Sequence, residues 1–263
     1  MTSPILVTGG TGTLGRHVVR RLHDAGYDVR VLTRHSDAAK DGIEFMTGDL
    51  TTGQGIAPAV DGVETIVHLA GSAKGDEDKT RNLLRAASSQ TRLPHVVYIS
   101  VVGAERIPID SRVDRAMFGY FASKRAAEKV VEHSGLPWTT LRATQFHEGM
   151  LAVARQMVKL PVLPVPVGFC FQPVEADEVA SRLVELTLGE PSGLVPDIGG
   201  PRVYGAAELL RGYLRASHRR RRPIVPVWLP GKAARAFREG ANLAPEQAVG
   251  HRTWEEFLAE RVS

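Results

Sequence analysis

The sequence contains one cysteine in 263 residues, Cys170. A disulfide needs two and a multi-cysteine metal site needs more, so both are excluded within the chain. Long apolar runs are missing too. The longest weakly polar stretch, Leu160 to Phe171, is about twelve residues and includes prolines at 161, 164 and 166. A membrane-spanning helix needs roughly 20 apolar residues. No basic region followed by an apolar one precedes the first strand-like segment, so a cytosolic location is expected. There is no Gly-x-Ser-x-Gly elbow, which argues against a hydrolase. Lysine is scarce, 7 residues against 26 arginines. The net charge of +4 therefore comes from an arginine-rich composition, which GC-rich coding also produces, and it is weak grounds for nucleic-acid binding. The one dense cluster, Arg219–Arg222 before Pro223, lacks interleaved aromatics. It reads first as a solvated loop and second as an anion-binding surface.

With 43% apolar and 24% charged residues, the composition is that of a soluble globular protein. Short apolar runs alternate with helix-like segments over the first half. Strands are expected at Ile5–Thr8, Asp28–Thr33, Ile43–Met46, Thr65–Leu69, His95–Val101 and Thr139–Arg142. Helical periodicity marks Leu14–Ala25, Thr80–Ser88 and Ala116–His133. Several strands are Val/Ile/Leu-rich on both faces, the pattern of a parallel sheet covered on both sides. The expected fold is α/β, a Rossmann-type doubly wound parallel sheet. After about Thr144 the rhythm loosens, with helices expected at Asp177–Leu188, Ala206–Ala216 and Trp254–Arg261. The expected division is a nucleotide-binding domain over 1–143 and a smaller, irregular substrate-binding lobe over 144–263, folded together. Trp228, Leu229, Trp254 and Phe257 are expected to anchor that lobe, and Cys170 to be a buried thiol.

Thr8-Gly9-Gly10-Thr11-Gly12-Thr13-Leu14-Gly15 lies between the first strand and the first helix. A helix N-terminus presents unpaired N–H groups and the positive end of a dipole, which suits a pyrophosphate. Gly9 lets the chain turn, Gly12 lets the backbone approach the phosphates, and Gly15 lets the helix pack closely. Gly9, Thr11, Gly12, Thr13, Leu14 and Gly15 are thus candidate cofactor residues. The spacing is Gly-x-x-Gly-x-x-Gly. With Gly48-Asp49-Leu50, His68-Leu69-Ala70-Gly71 and Leu141-Arg142-Ala143-Thr144-Gln145-Phe146, most of the chain resembles the short-chain dehydrogenase/reductase superfamily. The resemblance is nearest to its atypical, NmrA-like NAD(P)-binding branch. It implies that Asp49, with Leu50, holds the adenine ring and that Ala70 and Gly71 line the cofactor ribose.

The second strand ends Thr33-Arg34-His35-Ser36, with no acid before Asp37. An NAD site wants an acid there for the ribose 2′-hydroxyl. Arg34 instead suits a 2′-phosphate, with Thr33 and Ser36 as hydrogen-bond donors, so NADP is the expected cofactor and NAD the lesser choice. Tyr120 and Lys124 form Tyr-x-x-x-Lys, which on a helix puts both on one face. An ammonium there favours the phenolate, and the phenol can pass a proton to a carbinol oxygen. Ser100, ending the fifth strand, can hydrogen-bond the same oxygen. The resemblance implies the same roles for Ser100, Tyr120 and Lys124, and gives Lys124 a second one on the nicotinamide ribose. Many enzymes of the superfamily have asparagine where this chain has Asp76, so a relay through that residue is not expected. Gln145, Phe146 and His147 follow the sixth strand and are expected to line a substrate pocket. His68 reads as a structural, hydrogen-bonded residue.

The expected function is an NADP-dependent oxidoreductase acting on a carbonyl, quinone or related small molecule. The alternative is a non-catalytic NADP(H)-binding redox sensor. No metal, nucleic-acid or membrane partner is expected, and a homo-oligomer is compatible with the sequence.

Overall fold

The computed structural model describes residues 3–34, 42–71, 75–219 and 222–262. His35, Ser36, Asp37, Arg220 and Arg221 lie outside the described residues. In chain order the first half holds β1 (Ile5–Thr8), α1 (Thr13–Asp24), β2 (Val29–Thr33), β3 (Glu44–Thr47), α2 (Ile56–Val60), β4 (Thr65–His68), α3 (Asp76–Ala87), β5 (His95–Val101), α4 (Arg112–Glu132) and β6 (Trp138–Ala143). Then come α5 (His147–Met157), β7 (Leu163–Pro166), β8 (Cys170–Phe171), α6 (Ala176–Leu188) and β9 (Gly193–Leu194). The chain closes with β10 (Tyr204–Gly205), α7 (Ala206–Ala216), β11 (Ile224–Val227), α8 (Lys232–Arg238) and α9 (Trp254–Arg261).

Seven strands form a parallel sheet in the order β3-β2-β1-β4-β5-β6-β9. β1 is central, pairing Ile5 with Val29 of β2 on one side and with Thr65 of β4 on the other. Its four residues are all buried, which explains why it carries apolar side chains on both faces. The chain leaves β1 towards β3, then returns to start β4 on the opposite side. That reversal opens a crevice at the carboxyl ends of β1 and β4. The expected Rossmann-type fold is the observed one. The seventh strand, β9, is an addition: two residues are too few to show a period.

α1 forms because Leu14, Val18, Val19 and Leu22 recur on one face, and all four are buried. Its end is a Schellman closure: the Gly26 N–H bonds the His23 carbonyl and the Tyr27 N–H the Leu22 carbonyl, at 2.9 and 3.1 Å. Gly26 takes the left-handed conformation this requires, φ 84°.

The chain divides into two compact units, each made of several segments. The first is 1–100, 122–141 and 177–195; the second is 101–121, 142–176 and 196–263. A single cut at 143/144 does not describe these units. The segment 177–195, which carries most of α6 and all of β9, belongs with the first. Within that unit Asp177 of α6 takes two N–H bonds from Arg21 of α1, at 3.1 and 2.6 Å. The first unit's core gathers Leu6, Ile66, Leu83, Val96 and Val131. Among the described residues the second gathers one core around Leu163, Tyr213, Trp254 and Phe257 and another around Phe118, Phe169 and Phe237. Trp254 and Phe257 thus act as anchors, and Leu229 packs against the second core. Trp228 corrects the expectation. It is 63% exposed, with the Arg238 guanidinium stacked over its ring at 4.1 Å. Cys170 is half-buried rather than enclosed. Among the described residues no helix is long and apolar enough to cross a membrane.

Candidate functional site

The crevice of the first unit is a cavity of about 470 Å³ at the carboxyl ends of β1 to β4. Gly9, Thr11 and Gly12 form its floor, Thr33 and Arg34 one wall, Asp49 and Leu50 another, and Ala70 and Gly71 the far rim. Of the expected cofactor residues these are brought together. Thr13, Leu14 and Gly15 do not line it: Leu14 is core, and Gly15 packs underneath.

The glycine loop is folded as tightly as its composition allows. Gly9 has φ 71°, and a Cβ on it would lie 2.7 Å from the Ala70 nitrogen. A Cβ on Gly15 would lie 2.1 Å from the Gly9 carbonyl oxygen. Gly10, to which sequence reasoning gave no role, is wedged against Val31 and Val19. α1 then starts at the cavity with Gly12 as its N-cap, no side chain capping it and no acid in its first turn. Its first N–H groups are open to an anion. A cradle that any Cβ would fill, together with this donor set, fits a dinucleotide pyrophosphate.

Around the phosphate floor the charges are mixed. Arg34 is exposed and has no ion pair among the described residues. Lys79, from α3, is a second cation that sequence reasoning missed; a lone lysine on an amphipathic helix carries no signal of where it points. Asp49 holds its own turn, accepting the Thr51 N–H at 2.8 Å and the Gly53 N–H through its carbonyl.

Behind the rim lies a buried polar chain. The Ala70 N–H donates to Thr8 Oγ1 at 3.3 Å, Thr8 Oγ1 lies 2.7 Å from His68 Nδ1, and His68 Nε2 lies 3.0 Å from Thr80 Oγ1. The neutral ring is thus held at both nitrogens, between the Thr8 and Thr80 hydroxyls. The ring is fully buried and stacked on Tyr98. Burial first, then the Lys124 and Lys79 charges, pushes its pKa from 6.5 down to about 3. His68 is the structural residue expected, neutral and holding the Ala70 backbone in place. An unfolded chain takes up this proton near pH 6.5 and the folded one only near pH 3. Stability is therefore complete above that window and is lost as pH falls through it. Between pH 7 and 5 this residue alone removes about 2 kcal/mol. In urea unfolding at both pH values, His68→Gln should flatten the fall by that amount; identical slopes would acquit His68.

Lys124 is 3% exposed. Its Nζ lies 3.4 Å from Asp76 Oδ2, 3.4 Å from the Tyr98 hydroxyl and 3.3 Å from the Ile99 carbonyl. Burial holds the ammonium below the ordinary lysine value, with Asp76 pulling the other way. A Cβ on Gly71 would lie 2.8 Å from that Nζ, so the missing side chain there makes room for the ammonium at the cavity rim. Asp76 is 1% exposed, and its N–H donates to Ser123 Oγ at 3.3 Å. The residue that departs from the superfamily pattern is thus the counter-ion of Lys124. Ser100, the last but one residue of β5, is 4% exposed, and its Oγ has no hydrogen-bond partner among the described residues. Tyr120 lies one turn before Lys124 on α4 and belongs to the second unit; it is 41% exposed, edge-on to Phe121.

The three expected pocket residues lie in the second unit. Gln145 gives its amide N–H to the Asn242 carbonyl and accepts the Gln172 N–H. Phe146 caps α5 and is half-buried. His147 is wholly buried, stacked on Phe257 at 4.9 Å, with Nδ1 3.5 Å from Glu175. That places His147 in the packing of the unit.

A family model described as NAD(P)H-binding matches residues 9–163, more than half of the chain. The chain is 28% identical over 211 residues to a (4-alkanoyl-5-oxo-2,5-dihydrofuran-3-yl)methyl phosphate reductase of Streptomyces griseus, covering 78% of this chain and 70% of that one. It is 26% identical over 220 residues to the photosystem II assembly factor Ycf39 of Trieres chinensis, covering 78% of this chain and 66% of that protein. Among solved structures it resembles an NADPH-dependent quinone oxidoreductase of Escherichia coli complexed with NADPH. The TM-score is 0.79 at 18% identity, over 98% of this chain and 100% of the other, a likeness of fold.

Proposed function

As this chain belongs to the NAD(P)H-binding family, we propose that it is an oxidoreductase using NADPH to reduce a carbonyl or quinone-type small molecule. The observation that carries this reading is Ser100: a hydroxyl 4% exposed and without a partner among the described residues, at the carboxyl end of the strand beside β4. In parallel sheets ligands bind at that edge, and a buried hydroxyl left unpaired in the free protein is costly unless a ligand uses it.

The choice of NADPH rests on Arg34, whose fork suits a phosphate, and on the lack of an acid at the end of β2. The cofactor, when bound, supplies the hydride. The chain's own residues do the rest. The Thr11–Gly12 backbone and the start of α1 hold the pyrophosphate, Asp49 and Leu50 the adenine, and Ala70 and Gly71 the ribose, with the Lys124 ammonium behind Gly71. Ser100 donates a hydrogen bond to the substrate oxygen. Tyr120 is the candidate donor of the proton that balances the hydride. The relative from Streptomyces, a reductase by name, supports the reading.

A second reading is a protein that binds NADP(H) and acts through a protein partner. Similarity to an assembly factor favours it, as does the engagement of Lys124 with Asp76. Purified protein, NADPH and a panel of ketones, quinones and enones decide between them by absorbance. The enzyme reading expects NADPH oxidation with at least one member, NADPH bound about tenfold more tightly than NADH, and a loss in Tyr120→Phe of about 10²-fold or more with cofactor affinity unchanged. Measurable NADPH binding without oxidation of any panel member would favour the partner-directed reading.

A further inference from the structure

α7 ends at Ala216. The chain then closes as a Schellman turn, the His218 N–H bonding the Arg215 carbonyl at 3.2 Å and the Arg219 N–H the Leu214 carbonyl at 3.1 Å. Most such turns place glycine at the left-handed position. Here it is His218, at φ 49°, the one non-glycine residue with positive φ among those described. A side chain that tolerates this strain stands where glycine would be easier, and it lines a cavity of about 600 Å³. Arg211, Arg215, Arg219 and Arg222 line the same cavity with Leu214 and Ile224, and no carboxylate among the described residues does.

Two ordinary explanations fail. The arginines are not needed as helix caps, because the closing turn satisfies the Leu214 and Arg215 carbonyls and Ser217 Oγ donates to the Tyr213 carbonyl at 2.7 Å. Nor are they spent on acids, as Arg81 is on Glu77, Arg182 on Glu185 and Arg235 on Glu239 on other exposed helix faces. Arg211, Arg215 and Arg219 have no ion pair among the described residues. Arg222 donates one N–H to the Leu160 carbonyl at 2.8 Å, which orients its guanidinium.

Cations gathered around one concavity repel unless an anion joins them. Guanidinium forks match phosphate oxygens two at a time. Leu214 is buried and Ile224 half-buried, an apolar wall for an organic body. We propose that this cavity binds a small organic phosphate, held by Arg211, Arg215, Arg219 and Arg222, at a site separate from the dinucleotide crevice.

The test uses the full chain saturated with NADPH, so that the phosphate-binding groups of the first unit are filled. NADPH binding is followed independently by its fluorescence. Calorimetry then titrates inorganic pyrophosphate and hexyl phosphate into wild type and into R215Q/R219Q, two exposed substitutions whose folding is checked by thermal melting. Saturable binding is expected, weakening with salt and falling about tenfold or more in the variant at unchanged NADPH affinity. Vesicles of phosphatidic acid in phosphatidylcholine identify the source. Capture competed by pyrophosphate assigns the phosphate to a lipid headgroup, and phosphate binding without capture assigns it to a soluble molecule. The proposal is overturned if neither phosphate binds saturably at millimolar concentration, or if the variant binds as wild type does. Vesicle capture indifferent to pyrophosphate, or oligonucleotide affinity that grows with length beyond that for pyrophosphate, also overturns it.

Discussion

Lys124→Met is expected to lower the unfolding free energy by about 3–5 kcal/mol, and adding Asp76→Asn to restore most of the loss. The two side chains are 4% and 1% exposed and 3.4 Å apart. Removing the ammonium alone strands a carboxylate inside the protein, which costs far more than the pair contributes. Neutralising both leaves an amide that can still hydrogen-bond, beside an unbranched apolar chain of similar length. Urea unfolding of the two single variants and the double variant closes the cycle. A double variant as unstable as Lys124→Met alone would mean that the pair is not the source of the cost. The same pair bears on function. An ammonium held by its own buried counter-ion has less charge to offer a phenol one helical turn away.

Gly15→Ala is expected to weaken NADPH binding by about 10²-fold, since small displacements of a binding loop carry penalties of that order. The added methyl would stand 2.1 Å from the Gly9 oxygen and 2.6 Å from the Gly10 Cα. Both are backbone atoms of the loop that must cradle the phosphates, so the loop itself has to move. Gly26→Ala is the control. Gly26 has φ 84°, and a methyl added there would meet nothing within 4 Å. This variant should lose about 1 kcal/mol of stability from backbone strain alone and bind NADPH normally. Fluorescence titration of both variants decides the matter. Wild-type affinity in Gly15→Ala would remove the loop from the cofactor site.

How much was legible beforehand follows from the range over which each feature is encoded. The first six strands and the helices α1, α6, α7 and α9 were readable within a residue or two, because each is written in a local period and closed by local signals such as Gly26. α2, α5, α8 and the short strands β7 to β11 were not, being too brief, proline-broken or polar to show a period. In the crevice, Gly9 and Gly12 stood out by their place in the turn between β1 and α1, Arg34 by its position at the end of β2, and Asp49 and Ala70 through the family resemblance. Gly10 and Lys79 did not: what makes Gly10 necessary is Val31 on another strand, and Lys79 reaches the crevice only because α3 returns beside it.

The sequence alone determined that a parallel sheet opens on a glycine turn able to hold a dinucleotide, since strand periodicity, helix start and turn chemistry are all properties of neighbouring residues. Tertiary structure decided what the charged residues do. Asp76 meets Lys124 across 48 positions, Asp177 meets Arg21 across 156, and Arg211, Arg215, Arg219 and Arg222 face one cavity. Such pairings depend on how distant segments are brought together, and a charge in a sequence does not record which partner the fold will bring to it.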